Sequence, residues 1–124
     1  MIVLLDTHAL LWALGDSERL SPPAREIIED AGNVVLTSAA SAWEIAIKRA
    51  LGRLSVPDDL EAVVDAAGFT RRTITFADAQ RAGQLPPHHR DPFDRMLVAQ
   101  ALVDGVPVVS CDPLIARYPV QVLW

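Results

Sequence analysis

Cysteine is all but missing. Cys111 stands alone in 124 residues, which excludes an internal disulfide and a zinc site built on cysteine pairs, and fits a reducing compartment. Positive charge is also in short supply. With 11 Lys and Arg against 16 Asp and Glu the formal net charge is −5, which argues against gripping duplex nucleic acid by overall charge but leaves room for a local basic patch. No apolar run approaches the roughly 20 residues that span a bilayer, and the apolar opening Met1 to Leu5 meets Asp6 without the basic flank of a signal peptide. A cytoplasmic protein with no membrane contact is expected. A G-x-x-x-x-G-K-[ST] loop, a G-x-G-x-x-G turn, a G-x-S-x-G elbow and an H-E-x-x-H helix are absent too, so the common nucleotide, serine-hydrolase and zinc-protease chemistries lack their signatures. No repeat, low-complexity segment or linker divides the chain. A chain of this length buries roughly 60–70% of its unfolded surface, and one domain over residues 1–124 is expected.

What is abundant is apolar residues, 51% of the chain, arranged in short runs. Ile2-Val3-Leu4-Leu5 has the pattern of a strand buried on both faces of a parallel sheet. Val34 to Leu36, Thr73 to Thr75, Val106 to Val109 and Val120 to Leu123 repeat it more weakly. Helical stretches lie between them at Thr7 to Leu14, Pro22 to Ala31, Ala39 to Leu51, Asp58 to Ala67, Phe76 to Ala82 and Pro92 to Val103. Ser21 before Pro22 and Asp91 before Pro92 read as N-caps followed by proline, and Gly32, Gly52, Gly68 and Gly105 stand where a left-handed residue closes a helix. Strands alternating with helices predict an α/β fold around a central, mostly parallel sheet of about five strands.

In open parallel sheets ligands bind beyond the carboxyl ends of the strands, near the point where strand order reverses. Asp6 ends the first strand, and Asp112 lies two residues past the strand that closes at Ser110. Glu44 borders a helical stripe of Trp43, Ile47, Ala50, Leu51 and Leu54 that reads as buried. Asp94 falls in the first turn of a helix with almost no polar face. Each acid also has a structural explanation. Asp6 and Asp112 are placed to cap helix or turn starts, Asp91 with Asp94 resembles a capping box, and Glu44 matches Lys48 at i+4. Four acids sent to one edge together imply a cation, because clustered carboxylates repel and are costly to desolvate. Oxygen-only ligation favours one or two Mg²⁺ or Mn²⁺ ions over zinc. Lys48, Arg90 and Arg95 flank the acids and are placed to guide a polyanion. Arg53, Arg71 and Arg72 read as ordinary surface charge. His8 offers second-sphere support or local packing, and His88 and His89, beside Arg90, a phosphate contact or a solvated loop. Cys111 reads as a small buried residue, and Trp12, Trp43 and Trp124 as core or interface.

Leu5-Asp6-Thr7-His8-Ala9-Leu10-Leu11-Trp12, Ser41-Ala42-Trp43-Glu44-Ile45, Arg90-Asp91-Pro92-Phe93-Asp94-Arg95-Met96-Leu97-Val98-Ala99-Gln100-Ala101 and Ser110-Cys111-Asp112-Pro113 occur in that order. Together they resemble the PIN-domain ribonucleases, and among them the VapC-type toxins of bacterial toxin–antitoxin pairs, over essentially the full chain. The resemblance implies a PIN-like α/β/α sandwich and a Mg²⁺- or Mn²⁺-dependent endoribonuclease that hydrolyses RNA phosphodiesters by metal-activated water. Asp6, Glu44, Asp94 and Asp112 would be its catalytic and metal-holding residues, with Asp6 and Asp94 the principal ligands. Thr7 and Ser110 would support the site, and Lys48, Arg90 and Arg95 are candidates for RNA contact. It further implies a homodimer and a cognate VapB-like antitoxin whose C-terminal segment occupies the site. Asp91 belongs to the motif but, standing before Pro92, is assigned to capping.

Two other readings compete. A metal-dependent phosphatase on a similar frame would open with D-x-D, whereas His8 follows Thr7 here. A non-catalytic RNA- or protein-binding module would be favoured by loss of an acid, and all four are present.

Overall fold

A computed structural model of the chain describes residues 1–124. Its strands are β1 (Ile2–Leu5), β2 (Val34–Ser38), β3 (Thr70–Arg72), β4 (Val108–Val109) and β5 (Val122–Leu123). Its helices are α1 (Thr7–Leu14), α2 (Pro22–Glu29), α3 (Ala39–Ala50), α4 (Leu60–Ala66), α5 (Phe76–Gln84) and α6 (Pro92–Asp104), with a 3₁₀ turn at Ile115–Arg117. The strands form one sheet in the order β3-β2-β1-β4-β5, and every neighbouring pair is parallel. This is the expected PIN-like α/β/α arrangement.

β1 shows why the sheet sits at the centre. Side chains alternate across a strand, so Val3 and Leu5 enter a core with Leu10, Ala24, Ile45 and Val64, while Leu4 enters a second core with Leu97, Val98, Val108 and Ile115. Val3, Leu4 and Leu5 are fully buried. A continuous apolar run is therefore needed in this strand, and alternation would leave one layer without a partner. β1 pairs with β2 on one side and β4 on the other, so strand order reverses between β1 and β4.

Helix starts follow local chemistry. The Ser21 side chain accepts from the Ala24 amide at 3.2 Å, and Asp91 accepts from the Phe93 amide at 2.8 Å, each with proline in the first turn. Gly52, Gly68 and Gly105 do adopt positive φ. Gly32 does not, because Asp30 ends α2 first and its side chain accepts from the Gly32 amide.

The third strand lies at Thr70–Arg72, not at Thr73 to Thr75. Thr75 is instead the N-cap of α5, where it forms a reciprocal capping box with Asp78. Arg72 is also no surface charge. Its guanidinium makes two hydrogen bonds to Asp78, at 2.8 and 2.9 Å, and two more to Asp104. Asp78 is fully buried. Burial pushes its carboxyl up, but hydrogen bonds from Arg72, the Thr75 amide and Gln100 outweigh that and hold it below its ordinary value.

Candidate active site

The acids converge where strand order reverses, as the switch-point rule requires. Asp6, 3% exposed, leaves the carboxyl end of β1 with its two oxygens divided between tasks. Oδ1 accepts from the Ala9 amide at 2.8 Å and caps α1, while Oδ2 accepts from the Ser110 hydroxyl beyond β4. Capping and membership of the pocket coexist in this residue. Burial pushes its carboxyl up, with the Ser110 and Ala9 hydrogen bonds opposing. Ser110 is fully buried and its Oγ also accepts from the Asp112 amide at 3.0 Å. Thr7 donates to Ser41 Oγ at 2.9 Å, tying α1 to α3.

Glu44 reaches the pocket from the buried side of α3, which carries Ala40, Ser41, Glu44 and Ile45. The stripe beside it is not buried: Trp43, Ile47, Ala50 and Leu51 face solvent. Turning Ala40, Ser41, Glu44 and Ile45 inward leaves Trp43, Ile47 and Leu51 outside, and Trp43 packs edge-on against Phe93. Glu44 Oε2 accepts from Lys48 Nζ at 2.7 Å. Its Oε1 is buried without any hydrogen-bond partner.

Asp94 is released from capping because Asp91 takes the amides of α6, so the expected Asp91–Asp94 box does not form. Burial first, then the charges of Asp91, Glu44 and Asp6, push the Asp94 carboxyl up to about 7, with His89 pulling the other way. Asp112 divides its oxygens as Asp6 does. Oδ1 accepts from the Leu114 amide at 2.8 Å, and Oδ2 lies 2.9 Å from His89 Nε2.

His89 is the pocket residue that sequence reasoning missed as a pocket member. It does not sit in a solvated loop: its side chain is 11% exposed, and Nε2 is 3.1 Å from Asp94 Oδ2 as well. Ligand-capable atoms of His89, Asp94 and Asp112 lie within 4.8 Å of one another. Asp6 and Glu44 stand outside that trio, although their charge is felt at Asp94. The available signal was position, since His89 sits two residues ahead of the N-cap of the Asp94 helix.

Arg95 does not face the groove as a phosphate contact. Its guanidinium donates to the carbonyls of Ala82, Leu85, Pro86 and His89, which clasps the loop that carries His89. Tyr118 completes the clasp, its hydroxyl accepting from the His89 amide and donating to the Pro86 carbonyl, both at 2.9 Å. Cys111 is exposed, not buried. His8 is exposed and stacks on Trp12, while His88 packs edge-on against Tyr118. Arg90 and Arg53 border an open groove with Glu44, Lys48 and Phe93.

The donor set suits a hard divalent cation: carboxylates gathered with too little positive charge, and one buried oxygen left unsatisfied. A parallel α/β sheet with such a pocket at its switch point defines the class of acidic-site α/β proteins. A model of the PIN domain matches residues 3–121, and the chain belongs to the PIN domain family, whose members are generally nucleases. Two solved structures share the fold. VapBC2 from Rickettsia felis, bound to a DNA fragment from its promoter, aligns at TM-score 0.71 and 12% identity over 98% of this chain and 97% of that one. FitAcB from Neisseria gonorrhoeae aligns at TM-score 0.60 and 21% identity over 97% and 95%. No curated protein matches the chain in sequence.

Proposed function

We propose that this chain is the toxin of a VapBC-type toxin–antitoxin pair, a Mg²⁺- or Mn²⁺-dependent endoribonuclease acting as one PIN domain over residues 1–124. One observation carries the reading: Glu44 Oε1 is buried and unpartnered in the pocket where burial, joined by neighbouring carboxylates, pushes the Asp94 carboxyl up to about 7. Such an arrangement is unfavourable alone and becomes favourable around a cation. Asp6, Glu44, Asp94 and Asp112 are the residues that would hold one or two ions. When bound, the ion supplies Lewis acidity and positive charge against the phosphodiester.

The chain's own residues do the remaining work. Ser110, donating to Asp6 and accepting from the Asp112 amide, holds those two acids in register. Thr7, through Ser41, fixes the start of α1 against α3. Lys48 balances half of the Glu44 carboxylate and leaves the other oxygen for a ligand. Arg90, exposed at the mouth of the groove, is the phosphate contact, a role that Arg95 cannot fill while its donors serve the loop.

The exposed apolar stripe of Trp43, Ile47 and Leu51, with Phe93 beside it, supports an antitoxin partner, because it borders the pocket and needs cover. The fold shared with VapBC2 and FitAcB agrees with that assignment. A homodimer and a cytoplasmic location complete the proposal.

The test is cleavage of single-stranded or looped RNA by purified protein. Mg²⁺ or Mn²⁺ should be required, and Asp6→Asn should abolish the reaction. Cleavage that persists undiminished in excess EDTA sinks the proposal.

A further inference from the structure

His89 has no task in the scheme above, yet both of its ring nitrogens are engaged. Nδ1 accepts a hydrogen bond from the Asp91 backbone N–H at 3.2 Å. A backbone amide only donates, so in the neutral ring the proton resides on Nε2. That nitrogen lies 2.9 Å from Asp112 Oδ2 and 3.1 Å from Asp94 Oδ2, and both are acceptors when ionised. We propose that His89 is a positioning residue that presents Nε2–H to Asp112 and Asp94 and is barred from ligating the metal, which leaves the cation to oxygen donors alone.

The bar is geometric. A histidine that binds metal through Nε2 gives up the proton there and carries it on Nδ1, where it donates to a carboxylate, carbonyl or water. Here Nδ1 faces an N–H donor, so that tautomer sets two N–H groups against one another. The ring is also held in place. Its backbone N–H is committed to the Tyr118 hydroxyl and its carbonyl to Arg95, and its side chain is 11% exposed. Asp91 is itself fixed as the N-cap of α6, so the amide that selects the tautomer cannot be withdrawn without disturbing the helix start.

The assignment reverses the reading that composition alone suggests. One histidine and two carboxylates with atoms within 4.8 Å resemble a mixed nitrogen and oxygen site, which suits zinc. With His89 confined to donation, the site keeps the preference of an all-oxygen set for hard cations such as Mg²⁺ and Mn²⁺. His89 also joins the loop before α6 to the segment after β4, and so fixes the spacing of Asp94 and Asp112.

This consequence rests on the metal-centre reading above, whereas the tautomer can be tested without it. In ¹⁵N-histidine-labelled protein, long-range ¹H–¹⁵N spectra should show a protonated Nε2 and an unprotonated Nδ1 for His89 in EDTA, and the same pattern with saturating Mg²⁺. The chain has three histidines, and loss of one set of signals in His89→Gln assigns the ring. A proton on Nδ1 in EDTA, or loss of the Nε2 proton when Mg²⁺ or Zn²⁺ is added, overturns the proposal.

A second measurement is calorimetric titration with Mg²⁺ and Zn²⁺. His89→Leu should lower both affinities by a common factor of about tenfold, the scale at which outer-sphere contacts tune a site. His89→Gln, which keeps an N–H donor, should recover most of that loss. A selective loss of Zn²⁺ affinity identifies the ring as a ligand, and unchanged affinities in a folded His89→Leu remove the positioning role, so either overturns the inference. A wild-type chain that takes up no divalent cation sinks the metal-centre reading instead, and the ring pattern in EDTA still decides the tautomer.

Discussion

Two carboxylates in the pocket are held in states that the fold alone would not choose. Glu44 keeps one oxygen paired with Lys48 and the other buried without a partner, and an unsatisfied buried acceptor costs about 1–3 kcal/mol. Glu44→Gln gives the side chain an N–H₂ group and removes a charge that repels Asp94. Metal-free Glu44→Gln should therefore melt within a few degrees of the wild type or above it, while its Mg²⁺ affinity falls at least about tenfold, the scale of altered ligation. Thermal melts in EDTA and calorimetric titration check the two halves. A large loss of stability with unchanged metal affinity would mean that Glu44 serves only its ion pair with Lys48.

Asp94 links the pocket to pH. Burial first, then neighbouring carboxylates, push its carboxyl up to about 7 in the folded chain against an ordinary 3.8. Between those values the native protein retains a proton that the unfolded chain has released, so stability falls as pH rises through the window. It is fully present below about pH 4 and lost above about pH 7. In EDTA the melting temperature of the wild type should decline across that range more steeply than that of Asp94→Asn, and Mg²⁺ should recover the loss at the upper end. Parallel pH profiles for the two proteins would show that Asp94 ionises without hindrance.

At the scale of elements, the unexpected stabiliser is the edge of the sheet. β3 is a Thr-Arg-Arg strand paired on one side only, and its Arg72 binds both Asp78 of α5 and Asp104 at the end of α6. Removing one partner of a buried pair leaves a charge with no compensation, at a cost of about 3–5 kcal/mol. Arg72→Leu should reduce unfolding free energy by about 3 kcal/mol in urea titrations, because Asp78 is fully buried. A loss below about 1 kcal/mol would show that the pair behaves as a surface salt bridge.

The same strand shows where sequence reading fails. Edge strands carry charge and lack the apolar run that marks β1, so periodicity shifted β3 to the neighbouring Thr73 to Thr75, an irregular link that ends in the cap of α5. Caps such as Ser21-Pro22 and Asp91-Pro92 were legible because their chemistry is local. The face of α3 was not, since an exposed Trp43-Ile47-Leu51 stripe has the same spacing as a buried one. The places of Asp6, Asp94 and Asp112 at strand ends and a helix start were legible, whereas Glu44, in the middle of α3, was singled out by a stripe that faces solvent. His89 was not legible, because its position depends on Tyr118 and Arg95 closing a loop from distant points in the chain.

For the whole molecule, the net charge of −5 is compatible with the proposed polyanionic substrate because of where the charges are committed. Asp6, Glu44, Asp94 and Asp112 are the proposed holders of a cation, while six of the 11 basic side chains are already engaged. Arg25, Arg49, Arg71 and Arg72 form ion pairs, Lys48 holds Glu44, and Arg95 clasps a loop. Arg53 and Arg90 line the groove beside Glu44 without an ion pair. On the proposed function an RNA strand in that groove would meet about two free cations, and each phosphate neutralised on a single strand contributes about −0.7 to the slope of log affinity against log salt. A non-cleavable single-stranded RNA, titrated with Mg²⁺ present, should give a slope between about −1 and −2, and Arg90→Ala should reduce it by about 0.7. A wild-type slope several times steeper would require a second basic surface, and an Arg90→Ala slope equal to the wild type would place the strand outside this groove. Weak salt dependence is what this distribution of charge demands: on the proposed function, a cation held by the four acids, more than the protein's own basic side chains, would draw the phosphodiester in.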